Sequence, residues 1–557
     1  MNGRFATEKN RWIALVFISL GLAIVVIDNT VLNVAIPYIL RDLKTTFDAV
    51  QWVVSGYALI IATVLITVGR LGDLYGRKKI FILGAILFAI GSYIASVSQT
   101  ARILFVGEAL IEAIGAAMMM TTSLALLVSE FHGKERAIAF GIWGSVAGAS
   151  ATVGPLLGGY LTTYYSWRWS LRINVIVALI AIIGSIFVKE SKGSAAKYFD
   201  WMGVILSGAG LFSLVFGFIE GQKFGWWKPN ETFTAGYLTW NSKDISIIPF
   251  FFLLSIVFLI LFAVNEYQAE KKQRSPLLKM SLFKSREFAL GLISLGIISL
   301  GQFGVFFILP IFFQNALGLN ALQTGIVFLF ASISVIIFGP LSGFLASNIG
   351  PKWIVNLGMI ILGFGTLFLS HTISTTSTGY SLAPGLVLIG TGVGMSSAQL
   401  TNIILSGVSV QYAGEASAAN SAIRQVGTSI GIAILGVILA NALTTKIPAY
   451  IKADTNIPNF FKVQIVERLA KVTPESRQST SNQNFGPDQA LVKHVKDDIN
   501  QAFVDSSKIA LDWATLFILA GAFASLFIPV EQTVKSPRGE QKQTEVANAQ
   551  KAIAGRE

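Results

Sequence analysis

Gly69-Arg-Leu-Gly-Asp73-Leu-Tyr-Gly76-Arg77-Lys78 lies between two long apolar stretches, and Gly343-Phe-Leu-Ala-Ser347-Asn-Ile-Gly350-Pro-Lys352 lies between two more. Laid over each other, the segments match at Gly69/Gly343, Leu71/Leu345, Gly76/Gly350 and Lys78/Lys352. The register runs on without a gap to Gly84/Gly358, Gly91/Gly365 and Ser96/Ser370. An internal repeat flanked by apolar stretches implies two halves built on one plan, the architecture of proteins whose sites lie between the halves near the bilayer midplane.

Working outward, the apolar stretches are long enough to cross a bilayer, which takes about 20 residues each. Hydropathy places fourteen of them, at roughly 12–39, 50–69, 79–98, 103–129, 136–161, 167–188, 201–221, 246–266, 288–315, 322–346, 352–371, 381–410, 416–445 and 510–530. The repeat then divides the chain into a six-helix bundle over 1–190, two inserted helices with their linkers over 191–287, and a second six-helix bundle over 288–531. The second bundle contains a long extracytoplasmic loop, 446–508, and a polar tail, 532–557, is expected to be disordered. Within 489–508, Leu491, Val495, Ile499 and Phe503 recur at helical spacing, and two readings stand: a helix lying on the outer membrane surface, or a solvated loop helix. The fold class is an all-α polytopic membrane protein. The first span follows a short basic segment, is too long for a cleaved leader and is expected to stay as an anchor.

Composition agrees and excludes much else. Of 557 residues 53% are hydrophobic and 13% charged, where a soluble domain carries about 25% charge. With no cysteine and three histidines there is no thiolate metal site, no disulfide framework and no cysteine nucleophile, and no metal is expected. The net charge of +12 is a topology signal: 24 of the 42 Lys and Arg fall in connections on the N-terminal side of the membrane. Eight fall in the short loops opposite, nine in the 446–508 connection, and Arg424 alone within a span. Both termini are therefore expected in the cytoplasm, and nucleic acid is not an expected partner. Trp12, Trp167, Trp169, Trp201, Trp353 and Trp513 sit at or near span ends, as interfacial anchors do.

The informative charges are acidic. Asp28 lies about 24 Å into its helix at ~1.5 Å per residue. A charge at such depth costs about 2.5–3.5 kcal/mol on insertion scales, so it should face a cavity or a partner. It is a candidate proton carrier; the other reading is a protonated Asp hydrogen-bonded to a neighbouring helix. Glu108 and Glu112, four residues apart, share one helical face about 9 and 15 Å in from the outer end. Like charges side by side in a low dielectric repel, so the pair suits a proton or a cationic substrate in exchange; a glutamate facing a headgroup crevice is the alternative. Asn33, Tyr57, Glu112, Asn174, Gln302, Gln399, Asn402 and Arg424 are candidates to line a substrate cavity, and Phe303, Phe306 and Phe307 could offer aromatic surface to a lipophilic cation. For Arg424, a bond to nearby Asn420 or Gln425 that ties helices is equally admissible.

Taken in order, Asp28-Asn-Thr-Val-Leu-Asn-Val-Ala-Ile-Pro37, Gln51-Trp-Val-Val-Ser-Gly-Tyr57, the Gly69–Lys79 loop, Gly154-Pro-Leu-Leu-Gly-Gly159, Trp167-Arg-Trp169 with Asn174, Leu309-Pro310, Leu322-Gln-Thr-Gly325 and Arg424-Gln-Val-Gly427 resemble one family. It is the major facilitator superfamily, specifically its fourteen-helix drug:proton antiporter branch (QacA/EmrB type). Asp73 can pair with Arg77 or with a helix N-terminus of the other half, and Arg70, Arg77, Lys78 and Lys79 are equally admissible as orientation signals. The resemblance implies that Gly69, Asp73, Gly76, Arg77 and Lys78 form a conformational latch. It also implies that Gly154, Pro155, Gly158 and Gly159 form the antiporter motif. The chain departs from the branch at Glu108 and Glu112, which stand where an arginine and a glycine are usual, so the arginine's role is not carried over.

Together these readings predict a proton-coupled exporter of lipophilic, cationic compounds in a bacterial cytoplasmic membrane. It would be a monomer working by alternating access, with small molecules, protons and the lipid bilayer as partners and the proton gradient in place of a cofactor. The alternatives are an exporter dedicated to one lipid or metabolite, a proton-symport importer and, from another class, a membrane-embedded enzyme. The absence of a Gly-rich loop before Lys-Ser/Thr argues against direct ATP driving.

Overall fold

The computed structural model describes residues 8–193, 199–235, 238–462 and 489–529. The 532–557 tail and the middle of the 446–508 connection lie outside the described residues. Among those described, fourteen helices are long and apolar enough to span a membrane. They are α1 Glu8–Asp42, α2 Phe47–Tyr75, α3 Arg77–Ser96, α4 Ala101–Glu130, α5 Gly133–Tyr164, α6 Trp167–Gly184 and α7 Trp201–Phe224. There follow α8 Ile248–Lys271, α9 Arg286–Asn315, α10 Ala321–Ile349, α11 Pro351–Thr372, α12 Gly379–Ser406, α13 Ala413–Ala453 and α14 Gln489–Ser525. Helices satisfy their own backbone groups, which lipid cannot. A two-stranded antiparallel ribbon between α7 and α8, β1 Phe233–Ala235 and β2 Leu238–Trp240, is the one departure from an all-helical chain among the described residues.

Local chemistry sets the ends. Thr46, Thr100, Ser166 and Asp200 each accept a hydrogen bond from a first-turn N–H of α2, α4, α6 and α7, and Asn320 with Gln323 forms a capping box on α10. Gly76 (φ +115°) breaks α2 from α3, and Gly350 (φ +98°) breaks α10 from α11; both are left-handed positions that favour glycine.

The halves meet along two seams, α5 with α10 and α12, and α13 with α2 and α4. The repeat carries α2 onto α10 and α5 onto α13, so the two seams are images of each other. The inserted α7 packs on α2 and α13 beside one seam, and α8 packs on α7. Leu253, Ile256, Ile260 and Val264 of α8 point outward, as a lipid-facing span requires. We call the side where α1 begins the basic face and the opposite side the loop face.

One expectation is overturned. Residues 489–508 do not lie along the membrane surface, nor do they form a separate loop helix; they continue the last span as one 37-residue helix. Leu491, Val495, Ala502 and Phe503 are buried in one apolar cluster with Ile447, Ile451 and Ile457. The apolar stripe that suits a membrane surface suits a neighbouring helix equally well. The extended end of α13 supplies that neighbour, and Tyr450 bonds Asp505 across the pair.

Candidate functional site

Asp28 on α1 and Glu108 and Glu112 on α4 converge: one carboxylate oxygen from each lies within 4.8 Å of the others, and all three residues are at most 1% exposed. The segment Val106–Glu112 that carries both glutamates is a π-helix, a widened turn inserted in α4. It packs on α3 through glycines: a Cβ on Gly107 would stand 2.6 Å from the Ala95 nitrogen, and one on Gly91 would stand 2.7 Å from the Glu112 Cβ. Asn174 on α6 holds the cluster together. Its amide nitrogen lies 2.6 Å from Asp28 Oδ1, 3.0 Å from Ser92 Oγ and 3.2 Å from Glu112 Oε1. Ser92 in turn donates to the Leu171 carbonyl at 2.9 Å. The Tyr57 hydroxyl from α2 is buried facing the Asp28 carboxyl. Behind Asp28, Gly158 of α5 sits against Val31 and Gly154 against Ile27 and Thr30, so the Gly-Pro-x-x-Gly-Gly segment packs on the turn of α1 that bears the carboxyl.

At the basic face the repeated loop joins the halves. Asp73 Oδ1 accepts from Arg77 Nε (2.9 Å) and Nη2 (2.8 Å), and also from the Gly414 backbone N–H (3.2 Å). Its Oδ2 accepts from the Glu415 N–H at 3.2 Å. Of the two partners anticipated for Asp73, the structure therefore has both, Arg77 and the N-terminus of α13, where free N–H groups and the helix dipole favour an anion. Arg77 Nη2 also donates to the Val410 carbonyl (2.7 Å), and Arg70 forms a buried pair with Glu415 at 2.9 Å. Behind the latch, the Lys78 N–H donates to Glu190 (3.1 Å) and the Arg77 N–H to the Ser191 carbonyl (2.9 Å). Glu415 also accepts from the Lys279 N–H at 3.0 Å, which ties the linker after α8 into the latch.

The other candidates fall elsewhere. Gln399 is buried in the α5–α10 seam, donating to the Ala137 carbonyl and to Ser342 (both 3.2 Å), with Asn402 behind it. Gln302 accepts from Ser397 at 3.1 Å. Arg424 donates to Thr401 on α12 at 2.9 Å rather than to Asn420 or Gln425, and among the described residues no carboxylate pairs with it. Phe303 is half-buried on α9, Phe306 lies against Phe328, and Phe307 lies by Gly436. Asn33 and Pro155 sit on described helices, but their side chains lie outside the described set. Sequence reasoning missed Ser92, Glu190, Ser191, Lys279 and Glu415; for Glu415 the signal was an acid in the first turn of a span at the basic face.

A family model described as Major Facilitator Superfamily matches residues 18–432. The chain is 29% identical over 447 residues to "Multidrug resistance protein Stp" of Mycobacterium tuberculosis (80% of this chain, 79% of that one). It is 30% identical over 449 residues to the "Probable actinorhodin transporter" of Streptomyces coelicolor (79% and 74%). Among solved structures, the human organic anion transporter MFSD10 (TETRAN) superposes with a TM-score of 0.55 at 11% identity, over 93% of this chain and 100% of that one. At that identity the likeness speaks for the fold alone.

Proposed function

The chain belongs to the major facilitator superfamily, and from that premise we propose that it exports lipophilic, cationic compounds in exchange for protons. It works by alternating access in a bacterial cytoplasmic membrane, as a monomer with the basic face and both termini inside and no cofactor beyond the proton gradient. The observation that carries the reading is the buried cluster of Asp28, Glu108 and Glu112 with no basic partner among the described residues. Three carboxyls in a dry site hold charge poorly together, so protons and a cationic substrate exchange there: protonation removes the negative charge that retains the cation. Asp28 carries the proton, and Glu112 is shared between proton and substrate. The two bundles, 1–190 and 288–531, rock about the α5–α10 and α2–α13 seams, and the Asp73 latch holds the inner side shut. Gln302, Phe303, Phe306 and Arg424 line the substrate path from the second bundle.

The names of the relatives support export of antibiotics and other drugs. One of them is named for a single compound, actinorhodin, which favours a second reading: an exporter dedicated to one native product. Transport in proteoliposomes under imposed pH and voltage gradients, with an ethidium-like cation and a neutral lipophile, tests the first reading. Collapsing the pH gradient should abolish export, and Asp28→Asn should lower gradient-driven export about tenfold or more. Export indifferent to the pH gradient would overturn proton coupling, and transport of neither probe would leave the dedicated exporter.

A further inference from the structure

We propose that the Asp28–Glu108–Glu112 cluster is a binding site for a hard divalent cation of calcium's size. Binding takes place on the same carboxyls as the proposed proton step, but it does not require that export be proton-driven.

The donor set carries the inference. Five buried oxygens at this place have no hydrogen-bond partner: Asp28 Oδ2, Glu108 Oε2, Glu112 Oε2, Asn174 Oδ1 and the Tyr57 hydroxyl. Two of them, Tyr57 and Asn174, belong to neutral residues outside the acidic cluster. Tyr57 is 2% exposed with its hydroxyl facing the Asp28 carboxyl. The Asn174 amide cannot serve every demand, because its two N–H groups face three acceptors. Three carboxylates with the neutral Tyr57 hydroxyl beside them offer the oxygen ligands that hard cations take. A calcium ion holds its oxygens at about 2.3–2.6 Å, so ligand atoms within 4.8 Å of one another fit around one ion. Magnesium holds its ligands closer and keeps several waters, which a cluster at most 2% exposed does not accommodate.

Charge points the same way. The facing groups among the described residues are Asp28 from α1, Tyr57 from α2, Glu108 and Glu112 from α4, with neutral Ser92 from α3 and Asn174 from α6; Gly154 and Gly158 of α5 pack on the same turn of α1. Among the described residues no Lys, Arg or His pairs with any of them, so a divalent ion and a proton together balance three carboxylates. Protons compete for the same oxygens, and affinity therefore falls as pH falls.

Equilibrium dialysis of the detergent-purified full chain against radioactive calcium tests this directly. The expected result is one saturable calcium per chain, weakened about tenfold or more by Glu108→Gln and by Glu112→Gln, left in place by equal magnesium, and lost on acidification. Glu266→Gln, a buried acid on α8 away from the cluster, should bind calcium as the native chain does. No saturable binding, binding unchanged in both Gln variants, or equal displacement by magnesium would each overturn the proposal. If the Gln variants do not elute as folded protein, the native chain still decides: calcium must raise its melting temperature and magnesium must not. Proton-driven export without calcium binding would remove this inference alone, and calcium binding with export indifferent to the pH gradient would remove the proton reading alone.

Discussion

The two copies of the repeated loop share a backbone and differ in charge. α2 ends at Gly76 and α10 at Gly350, both at positive φ, and each loop lies against a helix of the opposite half. Gly69 sits against Gly414 and Ala418 of α13, and Gly343 sits against Ala137 and Ile138 of α5. In the first copy Asp73, Arg70 and Arg77 bind Gly414, Glu415 and Val410 across the seam. In the second copy Ser347 and Pro351 stand where Asp73 and Arg77 stood. Among the described residues the Ser347 hydroxyl donates only to Phe344 of its own helix and to the neighbouring Asn348. The interior shows the same asymmetry: Asp28 corresponds to Gln302, and Glu108 and Glu112 correspond to Leu382 and Leu386. Duplication supplied the scaffold twice, while Asp73, Arg70 and Arg77 of the latch and the three clustered carboxyls belong to the first half. Geometry is therefore symmetric here and electrostatics is not.

The sharpest way to break this comparison is to remove the latch charge. Asp73→Ala strands the buried Arg77 guanidinium and the first-turn N–H groups of α13, which should cost the closed basic face about 3–5 kcal/mol. Ser347→Ala should change it by no more than about 0.5 kcal/mol. The chain has no cysteine, so single cysteines placed on the two bundles can carry spin labels, and the distance distribution across the basic face reads the open fraction directly. Equal shifts for the two variants would dissolve the asymmetry.

A smaller effect sharpens the symmetric side. A Cβ at Gly69 would stand 2.6 Å from the Gly414 carbonyl oxygen, and one at Gly343 would stand 2.6 Å from the Ile138 Cα. Gly69→Ala and Gly343→Ala should each loosen their seam by about 1–3 kcal/mol, and by similar amounts, seen as matched losses in melting temperature.

The smallest effect lies at the loop face. There Asp42 of α1 accepts from Arg168 and, at 2.9 Å, from Trp167, joining α1 to α6. Arg168, and next Trp167, hold the Asp42 carboxyl below its usual range. A depressed carboxyl contributes stability above its unfolded value, near 4, and loses it as pH falls through the lower folded value. Melting temperature should thus be insensitive to Asp42→Asn within about 1 kcal/mol, and the difference between variant and native should stay constant from pH 5 to 8. A difference that grew across that range would show the carboxyl titrating there.

Much of this was legible without coordinates. Fourteen spans, the repeat and the buried acids all stand in the sequence, as does the helical pairing of Glu108 with Glu112. The convergence of Asp28 with that pair was not legible, because it depends on how α1 and α4 are rotated toward each other and on the π turn at Val106–Glu112. Glu415 was hidden for a related reason: its partner Arg70 lies 345 residues away, and local composition carries no trace of that pairing. The 489–508 stripe was visible as a helix, but its neighbour was not.

What the sequence determined by itself are properties that add up along the chain. Transfer into lipid sums over about 20 consecutive residues, so spans are local, and backbone breaks at Gly76 and Gly350 follow from one residue each. Only the tertiary structure decided which side chains meet. The carboxyl cluster draws Asp28, Tyr57, Ser92, Glu108, Glu112 and Asn174 from five helices, and the latch spans both halves. Such contacts are fixed by the rotation and tilt of packed helices, which depend on every neighbour at once.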